Sequence, residues 1–357
     1  MYRWRLLATV FLCSSAMAAE DPAAAILDSV RSYVPAEYKH RKAPAYPQVE
    51  LSNGGEGWVH MTYCVDENGT PQNISVAESA GSIRFERAAI KALQSWTFEP
   101  ATVNGEPVWQ SGNGVYVTFV IDTGSDPAAS RRFAAQFNRF IKMLDEGRLA
   151  DADKLFWNLL RDDKRNIYEI SKLWSLRARH EVLAGDLLKA DHALRRAIAN
   201  DGKFIENEDY VELLGFLIKV SVKLAKFAEA IEAFETLEEK AGQDHKTVQQ
   251  LQPVMEQVRT AVASEGILLT PAEIREKGGC YGCDDSFMFK LARRDFALDE
   301  IKGQLSSITL RCNLKHFESA ISDDVEWHIP ESWGSCWLHV AGEPGTTFDI
   351  VQLAESS

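Results

Sequence analysis

Apolar residues follow three rhythms along the 357-residue chain. Between 43 and 122 they alternate: Val59, Met61, Tyr63 and Val65 are separated by His60, Thr62 and Cys64, the two-residue period of a half-buried strand. Asp66-Glu67-Asn68-Gly69 reads as a turn, and a second strand is expected over 71–78. Gly81-Ser82 then opens a helix, with Ile83, Phe85, Ala88, Ala89, Ala92, Leu93 and Trp96 at helical spacing. Asn104-Gly105 marks another turn, and Val115, Val117, Phe119 and Ile121 alternate again. The predicted order is β-β-α-β. Residues 127–263 are rich in Ala, Leu, Lys and Glu with helical periodicity, and 266–357 return to short apolar runs separated by turns. Breaks fall at Gly124-Ser125-Asp126-Pro127 and between Gly266 and Pro271, and Gly342-Glu343-Pro344-Gly345 reads as a hairpin-like turn.

Composition sharpens this picture at the two ends. Arg3 and Arg5 precede an apolar run from Leu6 to Cys13, and Ala16-Met17-Ala18 is a small-residue cleavage pattern. That is a secretory signal peptide over 1–18, too short for a spanning helix of about 20 residues. Val10, Phe11 and Leu12 before Cys13 do not suit a lipid-attachment site. Residues 19–42 read as a short helical or loose lead. A net charge of −13 argues against binding a phosphate backbone, so no nucleic-acid partner is expected. Past Cys13 the cysteines are Cys64, Cys280, Cys283, Cys312 and Cys336. Their clustering in the last third suits an oxidising compartment.

One ordered set of residues resembles a known family. Pro44-Ala45-Tyr46-Pro47 is followed by Gly54-Gly55-Glu56-Gly57, Val65-Asp66 with Gly69, Phe85 with Ala88-Ala89, Trp96-Thr97-Phe98-Glu99-Pro100-Ala101, and Asn104-Gly105. The set is similar to the C-terminal domain of TonB-type energy transducers. Taken singly, these residues serve to maintain the fold: glycines at the turns, Trp96 and Phe98 anchoring helix on sheet, Pro100 ending a segment. The resemblance implies that a short extended segment of an outer-membrane transporter adds beside the last strand, where an exposed edge offers backbone groups. The corresponding residues are Gly114, Val115, Tyr116, Val117, Thr118, Phe119, Val120 and Ile121. It also implies protein partners: TonB-dependent outer-membrane receptors or an ExbB/ExbD-type motor. Full-length transducers carry an anchor and a Pro-rich spacer before this domain. Here neither is read, and the domain comes first, so energy transduction does not carry over with the fold.

In the middle region Gly147, Gly185 and Ala225 start similar stretches about 38–40 residues apart. Ala152, Ala190 and Ala230 align, as do Leu155, Ala193 and Ala233, and Phe156, Leu194 and Phe234. The pattern resembles degenerate tetratricopeptide repeats, whose period is about 34 residues. Such a stack either offers a binding surface or spaces its neighbours. Lys154, Lys164, Arg165, Lys172, Arg177, Arg179, Arg195 and Arg196 are interspersed with acids and read mostly as a solvated face. In the tail, Cys280-Tyr281-Gly282-Cys283 is open to redox, zinc or disulfide readings. No Pro lies inside it and no Trp precedes it, and Cys312 and Cys336 form no second such pair. Structural disulfides Cys280–Cys283 and Cys312–Cys336 are favoured, although four cysteines allow three connectivities.

Hydrolase, phosphate-loop, dinucleotide and metalloprotease motifs do not appear. The eight histidines are scattered, and Trp327, Trp333 and Trp337 suit core packing better than a sugar-binding face. No catalytic, cofactor or metal site is expected, and no small-molecule substrate. The chain therefore reads as a multidomain α+β protein of the periplasm. Its parts are a small TonB-like β-β-α-β domain (43–122), a tetratricopeptide-like helical region (127–263) and a C-terminal disulfide-bearing β domain (266–357). Its expected role is protein–protein interaction in TonB-dependent transport, or an assembly scaffold with the same fold and no transducing role.

Overall fold

The computed structural model describes residues 33–121, 129–162, 164–275, 286–313, 315–321 and 325–354. The expected signal peptide, residues 19–32, the break at 124–127, and Cys280 with Cys283 lie outside them. The first region runs β1 (Tyr33–Val34), β2 (Glu37–His40), α1 (Gln48–Asn53), β3 (Gly57–Val65), β4 (Pro71–Ala80), α2 (Ile83–Leu93), β5 (Thr97–Glu99), β6 (Ala101–Val103), β7 (Glu106–Val108) and β8 (Gln110–Phe119). Strands β4, β3 and β8 form an antiparallel sheet in that order. The core on one face joins Val59, Met61, Tyr63 and Val65 of β3, Val115, Val117 and Phe119 of β8, and Phe85, Ala89 and Leu93 of α2. Trp96 and Phe98 complete it, and Trp96 Nε1 donates to the Lys42 carbonyl.

Local chemistry explains the boundaries. Ser82 caps α2 by accepting from the Arg84 N–H. The Asp66 carboxylate accepts from the N–H groups of Asn68 and Thr70, closing the β3–β4 turn. Asn104 and Gly105 both have positive φ, 54° and 84°, as a tight hairpin between β6 and β7 requires. Two expectations need correction. Residues 33–40 are neither helical nor loose: β1 pairs with β6 and β2 with β5. Ile83 faces solvent at 54 % exposure rather than the core, because α2 starts there and its inward stripe begins at Phe85.

The middle region is α3 (Arg131–Asp145), α4 (Leu149–Leu160), α5 (Ile167–Ala184), α6 (Leu187–Ala197), α7 (Asn207–Lys223), α8 (Phe227–Ala241) and α9 (Lys246–Ala263). Each packs on the next along the chain. The aligned positions Gly147, Gly185 and Ala225 all have left-handed backbone, with φ of 70°, 82° and 54°. Ala152, Ala190 and Ala230 are fully buried, as are Phe156, Leu194 and Phe234. A methyl side chain at the first of these positions lets the paired helices approach closely. No helix among the described residues is long and apolar enough to cross a membrane. Lys154, Lys164 and Arg179 are exposed as expected, but the other basic residues do not lie on a solvated face. Arg165 and Arg196 are buried, and Lys172, Arg177 and Arg195 pair with Asp209, Asp153 and Asp191. Two of these acids sit on other helices, so local interspersion of charge did not show the pairing.

The tail holds β9 (Leu268–Glu273), β10 (Ser286–Lys290), β11 (Asp295–Lys302), β12 (Leu305–Cys312), β13 (His316–Ala320), β14 (Glu326–His328), β15 (Cys336–Gly342) and β16 (Thr347–Leu353). They form two four-stranded antiparallel sheets, β10-β15-β12-β13 and β14-β11-β16-β9. One core fills the space between them, including Phe289, Leu310 and Leu338 from the first and Phe296, Phe348 and Ile350 from the second. Cys312 and Cys336 face each other across β12 and β15 and are disulfide-bonded. Trp327 and Trp333 pack against this core. Gly342-Glu343-Pro344-Gly345 does not close a hairpin: it carries the chain from β15 in one sheet to β16 in the other. Pro271 lies inside β9 rather than in the preceding break; β9 is an edge strand, where a missing donor is tolerated.

The three regions are fastened together. The Arg293 guanidinium donates to the carbonyls of Ala261, Val262, Ser264 and Gly266, at and just past the end of α9, where helix carbonyls lose their intrahelical partners. Trp58 and Ala80, on the second face of the first sheet, belong to the hydrophobic core of the helices. The strand read as half-buried is thus covered on both faces.

Candidate functional site

The residues singled out by the resemblance lie on and just beyond β8. This strand is hydrogen-bonded to β3 on one flank and is the outermost strand of its sheet. Val115, Val117 and Phe119 point into the α2-side core, while Gly114 and Thr118 are exposed on the opposite face. Gly114, Val115, Tyr116, Val117, Thr118 and Phe119 therefore share one uninterrupted rung series. Val120 and Ile121 lie past its end, Val120 exposed.

Both ends of the edge are marked. At the start, the pairing with β3 shifts register between Asn113 and Gln110, and Gly112 has φ 76°. This is a glycine-bearing bulge, which bends the strand. At the bulge the Ser111 hydroxyl lies 2.6 Å from the Cys312 carbonyl and 2.9 Å from that of Lys315, and donates to this pair. The tip of the β12–β13 turn is thus seated on β8. At the far end, Glu56 is buried and its carboxylate accepts twice. Oε1 takes the Ile121 N–H at 2.7 Å and Oε2 the Ile167 N–H at 2.9 Å. Ile167 begins α5, so the carboxylate also meets the positive end of a helix. Glu56 belongs to the Gly-Glu-Gly stretch of the sequence, but nothing local in the sequence marked it as a clamp between regions. Ile121, expected to offer its backbone, has its N–H engaged.

Tyr116 governs the middle. Its ring stacks on His60 at 4.2 Å and 6° and lies 5.7 Å from Trp58. Burial raises the phenol's pKa, and the nearby Glu78 carboxylate adds to the rise; the Asn200 main chain hydrogen-bonds the same hydroxyl. Beneath it lies a charge network that sequence reasoning missed. Glu78 on β4 is 3.6 Å from His192 on α6. Arg195 pairs with Asp191 and Glu229, and Lys226 lies 2.8 Å from Asp191. Burial opposes the charge on Glu78, but the His192 hydrogen bond and the Arg196 and Arg195 charges outweigh it and hold its pKa low. His60 is pushed the other way: burial lowers its pKa, with partial compensation from Glu78. No group of three potential metal ligands occurs among the described residues.

An edge strand whose outer flank pairs with no other strand among the described residues, in a sheet of order β4-β3-β8 backed by α2, is the frame the resemblance anticipates. Residues 42–121 match the family model of the Gram-negative bacterial TonB protein C-terminal. Within this TonB-type segment the chain is 39% identical over 66 residues to Protein tonB2 of Pseudomonas aeruginosa, covering 18% of this chain and 24% of that protein. It is 37% identical over 68 residues to Protein TonB of Xanthomonas campestris pv. campestris, covering 19% and 30%. The chain thus spans less than a third of the length of these curated relatives. Among solved structures, it is similar to the solution NMR structure of the Pseudomonas aeruginosa TonB CTD, at 26% identity, 25% of this chain, 88% of that chain and TM-score 0.22. It is also similar to the tonb2 protein of Vibrio anguillarum, at 34% identity, 25% and 84% coverage, and TM-score 0.22.

Proposed function

We propose that this chain is a non-enzymatic periplasmic protein that binds an extended segment of a partner protein along the outer flank of β8. The observation that carries the reading is the position of β8 as an edge strand within a TonB-type segment. An added strand would satisfy the outward N–H and C=O groups of residues 114–119, and side chains alternating along it would meet the exposed Gly114 and Thr118 on one face. The seated β12–β13 turn at Ser111 and the Glu56 clamp at Ile121 bound the available length. The partners this reading names are TonB-dependent outer-membrane receptors or an ExbB/ExbD-type motor, within transport across the envelope. Its module plan is a TonB-like domain (43–122), a helical region (127–263) of tetratricopeptide type and a β domain (266–357), exported by a signal peptide over 1–18. The Cys312–Cys336 disulfide is consistent with an oxidising compartment.

The test is an amide NMR titration of the whole exported chain with extended receptor peptides. Saturable shifts confined to residues 113–119 are expected; unshifted amides there would refute strand addition. A second reading, an assembly scaffold, draws on the covered second face of the sheet, which ties the TonB-like part to the helices. Cross-linking in intact cells separates the two. Receptors or motor subunits among the captured proteins favour transport, and envelope-assembly factors alone favour the scaffold.

A further inference from the structure

Three shielded cations among the described residues are matched to carboxylates. Arg165 lies 3.5 Å from Asp162 and 3.4 Å from Glu169, Arg177 lies 2.5 Å from both Asp153 and Glu181, and Lys226 lies 2.8 Å from Asp191. Arg311 is held differently. It sits next to the end of β12, where the tail crosses the bulge of β8, and reaches the second face of the first sheet. There its Nη1 is 3.5 Å from Thr62 Oγ1 and 3.5 Å from Ser75 Oγ. These are neutral oxygens at the limit of hydrogen bonding, and the two hydroxyls already bond each other at 2.8 Å. The guanidinium Nε is shielded from solvent and has no hydrogen-bond partner, and no carboxylate pairs with Arg311 among the described residues. A charge held this way is unfavourable unless something neutralises it.

A second shielded nitrogen stands beside it. His316 is the direct cross-strand partner of Arg311, and its Nδ1 also has no hydrogen-bond partner among the described residues. Burial lowers the His316 pKa and the Arg311 charge lowers it further, against a smaller opposing effect of Glu318. Other titratable neighbours are the exposed Lys315, the buried thiol of Cys64, which feels the same guanidinium, and the His60–Glu78 pair next along the ladder from Thr62 and Ser75. Arg311, Thr62, Ser75 and His316 are all only half-buried, so solvent ions can enter. The guanidinium fork meets two hydroxyls there, with an imidazole beside it on the neighbouring strand, a set with no anionic acceptor of its own. Planar and tetrahedral oxyanions are what such a fork recognises.

We propose that Arg311, Thr62, Ser75 and His316 form a binding site for a small oxyanion, of carboxylate or phosphate type, in the seam between the first sheet and the tail. A bound anion would neutralise the guanidinium and reinforce the seat of the β12–β13 turn on the sheet. The site is independent of the β8 edge and stands whether or not that edge takes a partner strand.

The test uses the whole chain, labelled for NMR and titrated separately with inorganic phosphate, acetate and chloride at matched ionic strength. Expected are saturable shifts of the Arg311 Nε–H and the His316 ring with phosphate or acetate but not chloride. The His316 pKa should rise on saturation, because an anion favours the imidazolium. Stronger phosphate binding assigns a tetrahedral ligand, and stronger acetate binding a carboxylate. Arg311→Gln should weaken binding by at least about tenfold, while Arg311→Lys, which keeps the charge without the fork, should fall between. A purely structural arginine would show neither anion-specific shifts nor the His316 response. Absence of saturable shifts in the parent, or unchanged binding in a folded Arg311→Gln, overturns the proposal.

Discussion

Replacing Glu56 by glutamine tests whether the first region and the helices are joined through one carboxylate. The parent side chain accepts two backbone N–H groups, from Ile121 and from the first residue of α5. Hydrogen bonds to a charged group contribute about 1.5–3 kcal/mol each. Glutamine keeps the size and one carbonyl oxygen, so one bond survives in neutral form at about 1 kcal/mol. The second N–H then faces an amide NH2, donor against donor, and that bond is lost. The favourable meeting of a negative charge with the helix start, about 0.3–1 kcal/mol, is lost as well. The net destabilisation is about 2–6 kcal/mol. Urea unfolding followed by tryptophan fluorescence would report it as a lower midpoint at unchanged slope. Hydrogen exchange would show faster amides at Ile121 and Ile167. A Glu56→Gln protein within about 0.5 kcal/mol of the parent, with both amides equally protected, would refute the clamp.

Three further outcomes follow from other positions. Ala225 holds a left-handed backbone where the aligned positions carry glycine. Ala225→Gly should therefore stabilise the chain by about 0.5–1 kcal/mol in chemical denaturation. Cys312 and Cys336 are 24 residues apart, and a loop of that length corresponds to about 3.5 kcal/mol in the loop-entropy model. A Cys312→Ser/Cys336→Ser double variant should lose up to that amount, seen as a lower unfolding midpoint under oxidising conditions. His60 is the pH-sensitive group of the sheet–helix seam. Its pKa is lowered in the folded chain, so the unfolded chain binds more protons below the ordinary histidine value of 6.5. Its contribution to stability is complete above that value and is lost as pH falls from there toward the depressed folded pKa. Denaturation at pH 7.5 and 5.5 should show a drop that shrinks in His60→Asn.

Much of the first region could be read before folding because its signals are local. Alternation fixes β3 and β8, Gly81-Ser82 starts α2, and Asn104-Gly105 makes the hairpin. Periodicity likewise gives the helices, and the Cys312–Cys336 pair follows from the two strands it joins. The missed features depend on parts of the chain that are distant in sequence. His60, Thr62 and Tyr116 alternate as outward residues should, and only the arrival of α6 and β12 covers them. Gly342–Gly345 signals that the chain turns, but not into which sheet. Arg195 finds Glu229 across 34 residues, a span no local pattern records. At the candidate edge, the strand itself was legible. The seated turn at Ser111 and the engaged N–H of Ile121 were not, because both depend on partners contributed by other regions.

The burial of Trp58 and Ala80 among the helices has a practical corollary for anyone dissecting this chain. Cutting after Ile121 to obtain the family-matched part alone would strip the cover from an indole, a methyl and the stacked His60–Tyr116 pair, and would leave Glu78 without His192 and Arg196. The excised piece would carry a sticky flank with a stranded acid in it. Its self-association would then say more about the scissors than about the protein.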